Sequence, residues 1–432
     1  MQSPAAPPFG DCMLRVYGSR ISYYTGKLEA YLRYRGIDYV LLPTEPHRKA
    51  ILAGAGAVQM PVVELPDGRW MSDTTPILDW LESQPGRLGL WPATQRAAPS
   101  ILPADPALRF VARLLEDYAD EWLWRASMHH RWSHRLDREH ASGLLADELL
   151  GHLWYPRAWK RRLLARRQYG GFVRGDGVTE RTRAHVEQGV LRAYEALEAV
   201  LARRRFLLGG RPSLADFGFM GPMFRHLSMD PTPADRMRDR APRVYAWVAR
   251  MWNAPDERET VGLLDTIDEG ATNGRLDAIG EGATNGLLDA IGEGATNGLL
   301  DTIGEGATNG LLDTIDEPIG ALVVEACETH LVQLRENARA FAEGRTRFDQ
   351  DVQGVRYVEV PVSRYRVWCL ERLRREWAEL DDEARRRLRE WLPDAEAAVL
   401  WQPEAPARSG YDPEGLAPFN RAINVFGRGV PR

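Results

Sequence analysis

Val58-Gln59-Met60-Pro61-Val62-Val63-Glu64-Leu65 and, after six intervening residues, Ser72-Asp73-Thr74-Thr75-Pro76-Ile77-Leu78 decide how this chain folds. The first stretch puts a proline at the mouth of an apolar run. Proline has no N–H for a ladder, so it belongs at the start of a strand rather than in its middle. A cis bond before Pro61 would expose the backbone N–H and C=O of Met60 to a ligand. The second stretch opens a helix. Ser, Asp and Thr are cap residues, and Pro76 is tolerated in a first turn, where its missing N–H would have no partner. Pro66-Asp67-Gly68 between them reads as a hairpin. Together these pieces make a corner suited to a peptide backbone and an anion.

Upstream, Leu14 to Tyr17 reads as a strand and Ser22 to Arg35 as a helix, with Leu28, Tyr31 and Leu32 as its apolar stripe. Gly36 is placed to cap that helix, and Asp38 to Leu42 reads as a second strand. The order β-α-β, a loose helical segment, then β-β-α predicts an α/β layer with one parallel pair and one antiparallel hairpin.

With these residues in hand, the chain resembles the thioredoxin-like N-terminal domain of glutathione transferases. Ser22-Tyr23-Tyr24-Thr25-Gly26-Lys27-Leu28 stands where redox members of that family carry a C-x-x-C-type motif, and where serine-type members carry a serine first. Gln59-Met60-Pro61 stands where the family has its cis-proline, and Asp73-Thr74 where it usually has Glu-Ser or Gln-Ser. Further on, Arg211-Pro212-Ser213-Leu214-Ala215-Asp216-Phe217 looks like the N-capping box of the family's second, all-helical domain, with Asp216 reaching back to the Ser213 cap. The resemblance covers roughly residues 13–255. It implies a thioredoxin-like domain at 13–85, a linker at 86–105 and an all-α domain at 106–261.

The resemblance also implies glutathione as co-substrate. Met60 would pair with the cysteinyl unit like a strand. Gln59 would add a side-chain bond, Thr74 would hold the γ-glutamyl carboxylate at the helix N-terminus, and Asp73 would hold the ammonium. Pro61 would shape the turn. Ser22, at a positive helix end, would donate to the thiol and favour the thiolate, the form that attacks. Ser22 also serves as a plain helix cap, and Tyr17, Tyr23 and Tyr24 are rival donors. The basic residue for the glycyl carboxylate is open among His47, Arg48 and Lys49. Asp and Thr in place of the longer Glu or Gln and of Ser, and an Ala/Gly-rich Ala53 to Val58 without the usual Asn-Pro, depart from the family pattern. With no cysteine at 22 or 25, disulfide exchange at this site is not expected.

A helix over Glu116 to His134, with Tyr118, Trp122, Trp124, Met128, His129 and Trp132, is expected to face an apolar electrophile between the domains. The spacing of His130, His134 and Asp137 admits a metal reading, but a His-rich helix face explains it and no metal is expected. The basic run Arg157 to Arg174 reads as a solvated helix rather than a nucleic-acid surface.

The 432 residues suffice for two to four domains, and 44% hydrophobic content supports a true core. No apolar run approaches a membrane span, and Met1 to Cys12 lacks the marks of a secretory signal. Cys12, Cys327 and Cys369 are too scattered for a disulfide framework, which fits a reducing, cytoplasmic setting.

From Gly262 the unit GLLDTIDEGATN recurs almost unchanged at Gly274, Gly286 and Gly298 and begins again at Gly310. Residues 262–317 hold twelve acidic side chains and one basic, a net of −11, which leaves +6 over the rest of a chain whose total is −5. Bulk charge therefore says little about the remainder. Two or three glycines per unit argue against one continuous helix, and Asn-Gly against any long regular element. The segment 262–318 reads as an expanded linker in preference to a solenoid. Residues 319–432 read as a mostly helical extension: a helix over Ile319 to Gly344, a hairpin turning at Gly354 into Val355 to Val362, and one or two helices over Tyr365 to Trp391, broken near Asp381.

The leading expectation is a transferase adding glutathione thiolate to a small apolar electrophile. A non-catalytic ligand- or protein-binding member is the alternative, a glutathione-dependent reductase or dehalogenase a weaker one, and a homodimer is in keeping with the family. If the repeat is a linker, deleting Gly274 to Asn309 leaves the melting temperature nearly unchanged; loss of cooperative unfolding in a calorimetric scan would make the repeat structural.

Overall fold

A computed structural model describes residues 13–84, 87–92, 98–254, 310–402 and 408–422. Met1 to Cys12 and the repeat units from 262 to 309 lie outside the described residues.

The first unit alternates as expected: β1 (Leu14–Gly18), α1 (Tyr23–Arg35), β2 (Tyr39–Pro43), α2 (Arg48–Gly54), β3 (Val62–Glu64), β4 (Trp70–Ser72) and α3 (Thr74–Ser83). The sheet order is β2-β1-β3-β4. β1 runs parallel to β2 (Val16 opposite Leu41) and antiparallel to β3 (Val16 opposite Val63), and β3 pairs with β4 through Val63 and Met71. The second strand sits one residue later than the alternation suggested. Gly36 closes α1 at φ 63°, and Gly68 turns the hairpin at φ 83°, conformations that glycine adopts without a Cβ penalty. One sheet face lies in the main core with Leu14, Val16, Val63 and Met71; the other packs Tyr17 and Val62 on Ile51 and Ala55 of α2 and its cap.

A helical unit follows: α4 (Pro106–Glu121), α5 (Leu123–Ser133), α6 (Arg135–Leu150), α7 (Arg157–Gln168), α8 (Arg183–Leu201), α9 (Leu214–Pro222), α10 (Pro231–Arg240) and a helical stretch at 242–254. The single helix expected over Glu116 to His134 is in fact the end of α4 and all of α5, interrupted at Trp122. The Trp122 ring packs against Arg125 and Tyr357, a partner 235 residues away that no local pattern announces. At the start of α9, Asp216 accepts from the Ser213 N–H at 2.9 Å, as the capping reading required, and also from Leu207 N–H at 2.8 Å and the Trp247 indole at 3.1 Å.

The C-terminal part is integral to both units. Residues 310–312 pair with 208–210 (Gly210 N to Gly310 O, 2.9 Å; Leu312 N to Leu208 O, 2.8 Å). The expected helix over Ile319 to Gly344 is Glu317–Ala326 and Val332–Ala342, joined by a wider turn at Cys327–Leu331. The hairpin β5 (Arg347–Val352) and β6 (Val355–Pro361) turns at Gly354, and helices Arg364–Glu379 and Asp382–Arg389 meet at the Asp381 cap.

Burial of charge on α4 ties these parts together. Glu116 is fully buried and bonds Lys27 of α1 at 2.6 Å, Arg372 of the extension at 3.1 Å and Thr75 of α3. Burial alone would raise the Glu116 carboxyl; Lys27 and Arg372 hold it below the usual range. Next to it, Asp117 pairs with His330 at 2.9 Å. Breaking a buried pair by removing one partner costs far more than the pair contributes net, because an uncompensated charge stays behind. Lys27→Met should therefore lower unfolding free energy by about 3–5 kcal/mol. A urea titration giving a loss below about 1 kcal/mol, the range of exposed pairs, would sink the claim that this network is essential.

Candidate functional site

Ser22 is the N-cap of α1: its hydroxyl oxygen accepts from Thr25 N–H at 3.4 Å, with extended backbone at φ −78°, ψ 134°. A hydroxyl has one donor and two acceptor positions, so capping leaves its O–H for a ligand. The three rival tyrosines are engaged elsewhere. Tyr17 O–H donates to Glu64 at 2.7 Å and its ring stacks on Trp70; Tyr23 and Tyr24 donate to the carbonyls of Ala119 (2.6 Å) and Asp120 (2.9 Å) on α4. Burial raises the pKa of all three above that of an ordinary tyrosine.

Two buried arginines of the helical unit hold the loop that delivers Ser22. Arg131 donates to the carbonyl of Ile21 at 2.6 Å and pairs with Asp230 at 2.7 Å. Arg225 donates to the carbonyl of Ser19 at 2.9 Å and pairs with Glu29. Sequence reading missed both, since neither belongs to a motif.

The Met60–Pro61 bond is cis. Ser22, Gln59 and Met60 share one cavity of about 830 Å³ with Trp124, Met128, Trp132 and Phe172. Its size lies in the range of small-molecule sites. Of the three basic candidates, Arg48 reaches this cavity, beside Glu45. His47 instead bonds the carbonyl of Pro43 at 2.9 Å and packs on Tyr17, and Lys49 is exposed. Trp124, Met128 and Trp132 line the cavity as expected, while Tyr118 is buried in the core beside Phe219.

Asp73 and Thr74 line a smaller cavity of about 70 Å³, which has Tyr24, Gln59 and Met60 in its wall in common with the first. Asp73 caps α3 at φ 72°, a left-handed conformation that costs a non-glycine residue of order 1–3 kcal/mol and that clusters at ligand sites. Its half-buried carboxylate already has partners. Tyr365 donates to Oδ1 at 3.1 Å and Tyr411 to Oδ2 at 2.8 Å, both from the extension. Burial pushes the Asp73 carboxyl up to about 6, against the pull of these two hydrogen bonds. Glu121, in the same cavity, is pushed up to about 7 by burial, with Arg366 opposing at 3.1 Å. The tail continues over the sheet edge: Ser72 N–H donates to Pro418 O at 3.1 Å, Ala422 N–H to Ala55 O at 2.8 Å, and the Phe419 ring stands edge-on to Trp80.

The grouping of His130, His134 and Asp137 does not form. Asp137 is buried facing α10, where it accepts from Thr232 N–H at 2.8 Å.

An Asp raised to about 6 keeps a proton in the folded state that the unfolded chain, with a pKa near 3.9, has lost. Its stabilising contribution is present below about pH 4 and lost as pH rises through about 6. Between pH 4 and 7, Asp73→Asn should thus gain stability relative to the parent in urea titrations. An unchanged difference would mean that Asp73 titrates normally.

Residues 16–89 match the model of the glutathione S-transferase N-terminal domain, and residues 169–255 that of the glutathione S-transferase C-terminal domain. A probable glutathione S-transferase of Zea mays is 31% identical over 117 residues, 26% of this chain and 48% of that protein, so the chain spans about half the length of that curated relative. Among solved structures, the beta-etherase LigF of Sphingobium is 19% identical over 57% of this chain and 99% of its own, with a TM-score of 0.39. A glutathione S-transferase of Methylobacterium radiotolerans, in complex with glutathione sulfonate, is 19% identical over 58% of this chain and 94% of its own, at a TM-score of 0.35. The N-terminal match covers the α/β unit that carries Ser22, Gln59 and Asp73, and the C-terminal match covers much of the helical unit beside it, so these two segments of the chain correspond to the paired domains of glutathione S-transferases.

Proposed function

We propose that the protein binds glutathione at the α1–β3–α3 corner and adds its thiolate to a small apolar electrophile held in the large cavity. The observation that carries this reading is the shared cavity: the Ser22 cap and the Met60–Pro61 turn open onto the same space as Trp124, Met128 and Trp132. Met60 would pair with the cysteinyl backbone, and Gln59 would add a bond. Pro61 would fix the turn, Thr74 would take the γ-glutamyl carboxylate at the start of α3, and Asp73 its ammonium. The Ser22 O–H would donate to the sulfur, lowering the thiol pKa from about 8.5 and concentrating the nucleophile beside the electrophile. Arg48 is the best-placed cation for the glycyl end. The division into 13–85, 86–105, 106–261, 262–318 and 319–432, and a cytoplasmic setting, belong to the same proposal.

One observation favours the non-catalytic alternative. Both oxygens of Asp73 are already bonded to Tyr365 and Tyr411, and the cavity at that end is narrow. A ligand ammonium would have to share or displace those hydroxyls.

Calorimetric titration with glutathione, paired with thiolate absorbance against pH, separates the readings. The parent should bind at micromolar to millimolar levels and lower the thiol pKa. Ser22→Ala should still bind, lose the pKa shift and lose about a hundredfold in turnover, the order seen when a single donor to a developing anion is removed. A parent that does not bind glutathione would leave the binding-module reading standing.

A further inference from the structure

α5 ends at Ser133, and His134 takes extended backbone (φ −83°, ψ 143°) before α6 starts. This break folds His134 back on the last turn of α5. Its ring lies 5.7 Å from that of His129 and 5.4 Å, stacked, from that of His130. Glu187 reaches in from α8, with Oε1 3.0 Å from His129 Nε2. One ligand atom each from His129, His134 and Glu187 falls within 4.8 Å of the other two.

Two further observations point to a ligand. Both ring nitrogens of His130, a residue 1% exposed, are buried without a hydrogen-bond partner, and so is Nε2 of His134. Buried polar atoms are normally satisfied, and each orphan costs about 1–3 kcal/mol. In addition, His129 Nδ1 is held by the Ser133 hydroxyl at 2.8 Å. A ligating histidine characteristically has its second ring nitrogen fixed in this way.

We propose that His129, His134 and Glu187 form a site for a first-row divalent metal ion of the zinc type, with the fourth position taken by water or by a rotated His130. Two imidazoles and one carboxylate suit zinc, cobalt or nickel rather than calcium or magnesium, which prefer all-oxygen ligands. The proton balance is internal. In the metal-free state His129 Nε2–H donates to Glu187 and Nδ1 accepts from the Ser133 hydroxyl; on binding, Nε2 gives its electron pair to the metal, and Nδ1 takes a proton and donates to Ser133 Oγ. Burial lowers the pKa of His129 and His130, which favours the neutral ring that ligates. Arg236, 3.7 Å from the second oxygen of Glu187, is half exposed and can swing to solvent as the ion arrives. Partly exposed His134 and Glu187 give the ion its entry path. Once bound, the ion clips α5, which carries Met128 and Trp132 of the cavity wall, to α8. The site is independent of the transferase reading.

The test uses untagged full-length protein, stripped with chelator and titrated with zinc chloride by calorimetry and with cobalt chloride by visible spectroscopy. One ion per chain is expected, with a higher melting temperature and the intense visible bands of four-coordinate cobalt. His134→Ala and Glu187→Gln should each abolish the one-to-one phase while keeping a cooperative melt in chelator. Ser133→Ala should weaken binding about tenfold, as loss of an outer hydrogen bond does. No stoichiometric uptake by the parent, or uptake that both ligand variants retain, would overturn the proposal. A thiolate-to-cobalt absorption band would do so as well, since it would put the ion on cysteine.

Discussion

Carboxylates on one buried helix set the terms for the whole molecule. α4 carries Glu116, Asp117 and Asp120 at 4% exposure or less, and Glu121 at its end. Acidic groups this deep need hydrogen-bonding or charged partners: Lys27 and Arg372 keep Glu116 ionised, whereas burial pushes Asp120 and Glu121 towards their protonated forms. No single neighbour provides them all. Lys27 comes from α1, Thr75 from α3, and Arg372, His330 and Arg366 from the extension. Meeting the electrostatic demand of α4 thus obliges three distant parts of the chain to converge on one helix.

The candidate site lies where that convergence happens. Lys27 is on the same helix that Ser22 caps, Thr75 is two residues from Asp73, and Arg366 sits one residue from Tyr365. The pairs that neutralise α4 therefore also fix the corner's donor, its acid and the tyrosines that cover the acid. Arg131 and Arg225 add the opposite wall by gripping the Ser19–Ile21 loop through its carbonyls. The pocket is a seam between packed units, and its geometry is as rigid as the ion pairs beneath it.

Local chemistry was legible in the sequence. The Ser22 and Asp73 caps, Gly36, the Gly68 hairpin, the proline at the mouth of β3 and the Asp216 box each depend on a few neighbouring residues, and each occurs as read. So do Gly354 and the break at Asp381 in the extension. Contacts between remote residues were not legible. Nothing near Asp73 announces Tyr365 or Tyr411, and nothing near Glu116 announces Arg372. The interruption at Trp122 and the fold-back of His134 toward Glu187 likewise depend on tertiary neighbours. The family pattern drew attention to the corner, but the extension, outside both matched domains, supplies its cover.

The hydrogen bond between Tyr411 and Asp73 spans 338 positions of chain. During synthesis at about 5–20 residues per second, Asp73 is made on the order of tens of seconds before Tyr411 exists. For that interval the α/β unit must exist with its acid uncovered and the edge beyond Ser72 unpaired, because Pro418 has not been added either. A nascent chain at this stage already carries Ser22, Met60 and Asp73, so it has the corner before its cover. The ribosome thereby imposes an order of assembly in which a ligand present in the cell meets the open corner first and the closing tail last.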